Sequence, residues 1–515
     1  MKLAIVIPSA QYVEQAGARI RYQRMAVALE ARGVAMTLIP IDSLPKLAAG
    51  FADLLLLSKC QDARGVAAAH AARAAGIDVG VDLFDDYFSQ STDSRFAKQR
   101  AWLRAVADAA TFALCSTRGM EAIAHRYMPG KPVHILNDPA ILPDADALAT
   151  ALAAKAEQVV STRRLPILWF GMGDNPNFPV GLHDLAVFGR ELAAFSEAGY
   201  TVDLTILTNM RALVPETLAA LRQLPMGFTI DVWSEERERQ ALAASFISFL
   251  PVNAQNFSIA KSPNRALSAL TGGTQVLSAG YPLYAGLDPF LYRDARLILA
   301  DLEDGKLRNG AASVAALMEK VTSVASPDGE ADMLCRFFAD VRSRPASPAD
   351  SAAGASAILH GHQSSGAVHK FAQGQALLSF GSPFTPGGTA FDAHWGFFGE
   401  AKTPALRLSK TMVARLPASL ARLAVPAPAS LGKGPPMVLP EAASSTGLSL
   451  TAIQPLLTRS AFDRVMLYPR VMEQTKSLYR DLFGPLTFTD SELDAVLQAA
   501  SLPEASPQGT NPRVT

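Results

Sequence analysis

Short apolar runs return along the first 300 residues, and most are followed by a stretch whose apolar residues repeat at helical spacing. KLAIVIPSA, at the start, is almost continuous in apolar residues. A strand with one wet face alternates, whereas a strand covered on both faces reads like this one. Residues 17–32, GARIRYQRMAVALEAR, carry a helical period and stop before Gly33, a residue suited to the turn that ends a helix. AMTLIPI, ADLLLLS, IDVGVDLF, ATFALCS and PVHILN continue the series, with helical stretches around 63–75, 94–108 and 117–127. Alternating strand and helix implies parallel strands, because each helix carries the chain back to the starting edge.

A helical stretch at 145–158 and a polar connection, STRR, precede a second series: LPILWFG, TVDLTILT, FTIDVWS, FISFLPV, TQVLSA and ARLILA. The break near 138–163 therefore divides residues 1–140 from residues 160–342. The expected fold class is α/β, with two doubly wound Rossmann-like domains and a further mixed α/β region. SRPASPADSAAGASA, residues 343–357, reads as a linker. Residues 358–502 form an accessory region with short β-like runs first, a Pro-rich middle and helices over 449–500. Residues 503–515 read as a disordered tail.

Composition narrows the function. Lys+Arg and Asp+Glu both number 47, so the basic balance of a dedicated nucleic-acid binder is missing. Cys60, Cys115 and Cys335 are odd in number and far apart, which favours a reducing compartment over a disulfide framework. The apolar run in MKLAIVIPSA is too short for a secretory signal, and no window approaches the roughly 20 apolar residues of a membrane span. The expected setting is the cytoplasm.

One motif carries most of the chemistry. KSPNRALSALTGGTQVL, residues 261–277, opens a helix with Ser262 at the N-cap and Pro263 at the first helical position. That helix follows FISFLPV, so its positive end lies at the C-terminal edge of the sheet, where doubly wound folds bind ligands. Lys261 and Arg265 add charge and Asn264 adds an amide, which together suit a diphosphate. The same residues also fit a capped surface helix with two solvated cations. Gly171 and Gly173 follow the first strand of the second series, where a backbone can turn tightly against a phosphate. Asp174 and Asn175 belong to the same loop. No third glycine arrives at the dinucleotide spacing.

The combination resembles the GT-B glycosyltransferases, especially the family-4-like group. Lys261, Asn264, Arg265, Leu267, Ala269, Leu270, Gly273 and Val276 match that group's Lys-x-x-Asn-Lys/Arg helix and the glycine and valine that follow. Ala16, Gly17, Ala18 and Arg19 stand where the group has its first small-residue turn. The resemblance covers roughly residues 1–340. It implies two Rossmann-like domains across a cleft and a nucleotide-sugar donor held mainly by the second. Gly17, Arg19, Gly171, Gly173, Asp174, Asn175, Lys261, Ser262, Asn264 and Arg265 would be its donor-binding residues. No metal or other cofactor is implied. The acceptor would be a glycan, a lipid-linked sugar or a protein in bacterial surface glycan or glycoprotein synthesis. Ser268 and Ala260 replace the two glutamates of the group's Glu-x7-Glu motif. A nucleotide-sugar epimerase of the same fold, or a non-catalytic nucleotide-sugar-binding protein, are the other readings.

Asp85 and Asp86 close the strand in DVGVDLFDDYF, where carboxylates can hydrogen-bond acceptor hydroxyls or take a proton. They equally suit a solvated loop. His360, His362, His369 and His394 lie near Asp392 with partly ligand-like spacing, but without cysteines the simpler reading is Gly-rich β loops. Residues 401–440 hold Lys402, Arg407, Lys410, Arg415, Arg422 and Lys433 and no acid. Such a stretch can rest on an anionic membrane surface, peripheral to the inner membrane, or serve as a solvated connector.

Overall fold

In the computed structural model the described residues are 1–344, less 46, 62, 91 and 92, with short segments at 358–361, 377–381, 393–398, 403–408, 410, 425–427 and 437–438. The first sheet holds β1 (Lys2–Ile7), β2 (Ala35–Pro40), β3 (Leu54–Ser58), β4 (Asp78–Leu83), β5 (Phe112–Cys115) and β6 (Val133–Ile135). Their order across the sheet is β2-β1-β3-β4-β5-β6, and all are parallel. The second sheet holds β7 (Arg164–Phe170), β8 (Thr201–Thr208), β9 (Phe228–Val232), β10 (Ile247–Phe249), β11 (Gln275–Leu277) and β12 (Leu291–Tyr292). It is also fully parallel, in the order β12-β11-β10-β7-β8-β9.

Both sheets are buried on two faces, which is why their strands read as unbroken apolar runs. Along β1, Ala4 and Val6 join one core while Leu3, Ile5 and Ile7 join the opposite one. Along β7, Leu168 and Phe170 lie on one side and Leu165, Ile167 and Trp169 on the other. The α/β doubly wound expectation therefore holds for both halves.

Two local expectations change. Residues 17–32 do not form one helix: helical turns at Ala16–Arg19, Gln23–Met25 and Ala26–Ala31 are separated around Arg21 and Tyr22. Those two neighbours both turn inward to the same carboxylate, Asp82, which a regular helix would point in different directions. ARLILA is a helix, Ala295–Glu303, and not a strand. Asp294 caps it by accepting from the Arg296 amide, and Ala295, Ile298 and Leu302 are its buried face. The sixth strand is the two-residue pair just before it.

The chain crosses between the halves twice. Helix Ala145–Thr162, capped by Asp144, leads into the second sheet through Arg163 in the left-handed conformation, φ 53°. Helix Pro327–Ser343, grouped with the second half on sequence, returns to the first. Its Ala331, Leu334, Phe338 and Val341 form one helical face inside the core of β1 and β3. Glu330 on the same helix is buried and accepts from the Asn137 amide and side chain, at 3.0 and 2.8 Å.

Beyond residue 344, six short strands form a third, mixed sheet. The helices expected over 449–500, residues 345–357 of the linker, and the 503–515 tail lie outside the described residues, as do His362, His369 and Asp392. Among the described residues no helix is long and apolar enough to cross a membrane.

The returning helix yields a test. Phe338→Ala should destabilise the first half by about 3–5 kcal/mol, because a fully buried ring is removed from a packed core. Denaturant unfolding followed by near-UV circular dichroism would measure it. A loss within the scatter of surface substitutions would show that the helix is not part of that core.

Candidate functional site at the seam between the halves

Parallel sheets gather their C-terminal strand ends on one edge, and the two edges meet here. Lys59 follows β3, Asp85 follows β4 and Asp138 follows β6. From the second half come Gly171 after β7, Trp233 after β9, and residues 261–265 after β10.

The innermost support is Asp82 on β4. Its carboxylate accepts from Arg21 Nε and Nη2 at 2.6 and 2.7 Å, and from the Tyr22 hydroxyl at 2.6 Å. The pair is out of water, with side chains 1 and 0% exposed. Arg21 Nη1 also donates to the Leu136 carbonyl at 2.9 Å and to Asp138 at 3.2 Å. Asp138 in turn accepts from the Ser262 hydroxyl at 2.5 Å and the Asn264 amide at 3.2 Å. One chain of charge-assisted bonds thus runs from the first sheet to the start of the second-half helix Asn264–Thr271.

That chain changes the role of Ser262. Pro263, not Ser262, holds the N-cap position, and no side chain caps the helix. The Ser262 hydroxyl is committed to Asp138. The motif is also split by direction. Lys261 reaches the first half and pairs with Asp85, which pairs with Lys59 as well. Arg265 turns the other way and lies over Trp169 and Phe170, at 5.3 and 5.6 Å from the ring centres.

Arg265 packs against the Gly171 turn. Gly171 has φ +146°, and a Cβ there would lie 3.2 Å from Cζ and Nε of Arg265. Glycine is needed for both reasons. The Nε and Nη2 groups of Arg265 are shielded from water and find no hydrogen-bond partner among the described residues. Arg19 faces the same region from the first half. It lies over Trp233 at 5.0 Å and pairs with Glu235 at 2.8 Å. The Trp233 indole donates to Glu238 at 2.5 Å. Burial pushes the Glu238 carboxyl up, against that hydrogen bond and the nearby Arg19, Arg24 and Arg265.

Other expected site residues have structural duties. A Cβ on Gly173 would lie 2.2 Å from Thr208 Oγ1, so this glycine serves close packing rather than phosphate approach. Asp174 accepts from Asn209 at 2.8 Å and from Arg211 at 2.8 Å. Burial pushes its carboxyl up, and these bonds more than offset that, leaving it below the usual range. Asn175 accepts from the Asn177 amide at 2.9 Å, and its side-chain nitrogen is 3.5 Å from the Tyr87 hydroxyl across the seam. Gly17 makes room for the Tyr12 ring: a Cβ would fall 2.3 Å from its hydroxyl oxygen. Asp86 is only 5% exposed and accepts from the Phe88 and Ser89 amides, so it shapes its loop and does not face an acceptor. Asp85 does face the seam.

Sequence reasoning missed Lys59, Asp82, Asp138, and an aromatic cluster that joins the halves. Tyr87 and Phe96 of the first meet Phe178 and Phe257 of the second. Phe178 stacks on Phe96 and Phe257 at 5.2 and 4.6 Å. A charge inside the apolar run IDVGVDLF, and a lysine directly after LLLLS, were the available signals.

No protein-family model matches this sequence, and no curated protein sequence matches it. Solved structures with some likeness include HepE of Anabaena in complex with UDP, at 12% identity, covering 66% of this chain and 100% of that one, TM-score 0.42. Sucrose-phosphate synthase from Thermosynechococcus elongatus gives 12%, 67%, 99% and 0.43 on the same measures. The catalytic domain of starch synthase IV from Arabidopsis thaliana, bound to ADP and acarbose, gives 11%, 67%, 99% and 0.42. The likeness is loose, so function has to be argued from this chain's own residues.

Burial, then the Lys261 ammonium, pushes Lys59 down to about 7. Burial pushes Lys261 down to about 8, with Asp138 pulling the other way. Asp85, in contact with both, favours their charged forms. Lowered lysine values mean that positive charge is gained as pH falls through this range. Sulfate, whose own charge is constant here, should therefore bind the seam more tightly at about pH 6.5 than at about pH 8.5. Calorimetry across that range would measure it, and a flat profile would contradict the assignment.

Proposed function

We propose that this chain is a glycosyltransferase of the GT-B type, which binds a nucleotide-diphosphate sugar at the seam and passes the sugar to an acceptor in bacterial surface glycan or glycoprotein synthesis. The observation that carries the reading is the Arg265 guanidinium, held at the Gly171 turn with Nε and Nη2 shielded and unpaired. A buried donor without an acceptor is costly, and on a cation more so. A diphosphate supplies the missing acceptors in the planar geometry that arginine favours. Arg19, from the opposite half, is placed to add a second charge.

Transfer from such a donor leaves negative charge on the departing diphosphate. Fixed cations at that position stabilise the transition state more than the bound donor, which is what lowers the barrier. The acceptor hydroxyl must lose a proton. Asp85 is a carboxylate at the seam, and it can take that role once its two lysines turn to a ligand. Ser268 and Ala260, where the resembled group carries glutamates, favour a second reading: nucleotide-sugar binding without transfer. Hydrolysis and epimerisation assays on the nucleotide sugar that binds would separate these readings and the epimerase alternative.

Arg265→Ala should weaken nucleotide-sugar binding by about tenfold or more, from the loss of a charge-assisted contact of roughly 1.5–3 kcal/mol. Gly171→Ala should act in the same direction, by displacing the guanidinium. A thermal-shift screen of UDP-, ADP- and GDP-sugars, followed by calorimetry, is the measurement. Unchanged affinity in both folded variants would remove the donor site.

We also propose that the basic stretch 401–440 meets an anionic membrane carrying the acceptor. Lys410, Arg415 and Arg422 replaced by glutamine should reduce sedimentation with anionic vesicles, since each cation contributes about 1 kcal/mol there. Wild-type protein that ignores such vesicles at low salt would exclude this contact.

A further inference from the structure

Lys59 and Lys261 arrive from different halves and converge on one group, Asp85. Arg265 takes no part, because it faces Gly171. Aromatic rings line the lysines: Lys261 Nζ is 4.0 Å from the centre of Phe257, and Lys59 Nζ is 4.7 and 5.5 Å from Phe84 and Tyr87. Phe84 and Tyr87 are partly exposed there, whereas Phe257 is buried in the cluster between the halves.

Lys59 also sits in an unusual backbone conformation, φ 59°. This is the left-handed region, which a glycine would occupy more easily. Strained residues of this kind cluster at ligand sites, where the surrounding structure holds them in place. Here the strain places a cation directly after a buried strand, at the edge where the two halves meet.

We propose that Lys59 and Lys261 form an oxyanion subsite for the acceptor, which is a sugar or polyol bearing a phosphate, and that Asp85 fills the subsite when no acceptor is bound. The identity of the ligand as acceptor rests on the donor reading above; the anion subsite itself does not. Asp85 is an internal stand-in for the ligand's anion. A phosphate brings more charge than one carboxylate and displaces it. Displacement frees Asp85 from both ammoniums, beside the newly bound acceptor. Binding of the correct acceptor thereby exposes the carboxylate that receives its proton, whereas a neutral sugar leaves the ion triad closed.

The test uses the full chain with inorganic phosphate as probe, in the presence and absence of UDP. Calorimetry gives affinity, and an amine-reactive reagent read by mass spectrometry gives the location. Phosphate should shield Lys59 and Lys261 from modification. Asp85→Asn should bind phosphate about tenfold more tightly than wild type, because the internal competitor is gone. Lys59→Met should lose phosphate binding while UDP still binds. Lys59→Gln covers the case in which the methionine variant does not fold. The proposal is overturned if Asp85→Asn binds phosphate no more tightly, or if both Lys59 variants bind it as wild type does. If UDP binds none of these proteins while the phosphate pattern holds, the donor reading falls and the oxyanion subsite stands.

Discussion

Asp82 is a carboxylate at the C-terminal end of a buried parallel strand, and the arrangement of the seam depends on how it is neutralised. Arg21 and Tyr22 supply the answer from the same turn of chain. Removing one partner of a buried ion pair costs about 3–5 kcal/mol, far more than the pair contributes as a whole. Arg21 is therefore fixed, and its remaining nitrogen fixes Asp138. Asp138 then orients Ser262 and Asn264 of the opposite half. The alignment of the second half's helix start against the first half follows from a carboxylate two elements away.

With Ser262 and Asn264 spent on that alignment, Lys261 and Arg265 are left to point to opposite sides. Lys261 meets Asp85 and Lys59, and Arg265 meets Gly171. A short basic motif thereby faces two places, Asp85 of the first half and the Gly171 turn of the second. The aromatic cluster of Tyr87, Phe96, Phe178 and Phe257 packs the same seam and brings the two edges together.

Much of the fold was legible because parallel strands covered on both faces leave continuous apolar runs such as LLLLS and LPILWF. ARLILA misled because a short apolar run fits a buried helix as well as a buried strand. The split of residues 17–32 was invisible locally, since its cause, Asp82, lies 61 residues from Arg21. The site was half legible for the same reason. KSPNR announced itself by composition, but the directions of Lys261, Ser262 and Asn264 are set by partners 124 to 176 residues away. Asp85 and Asp86 are adjacent in sequence, yet the turn sends one to the seam and the other into its own loop. No local pattern distinguishes them.

On this reading the Arg265 guanidinium at the Gly171 turn, whose Nε and Nη2 find no partner among the described residues, is the diphosphate anchor. A crystal structure of the full chain with UDP would test it most directly. Diphosphate oxygens are expected within about 3 Å of Arg265 Nε and Nη2, beside the Gly171 backbone. A nucleotide bound away from the seam, with Arg265 still unpaired, would contradict it.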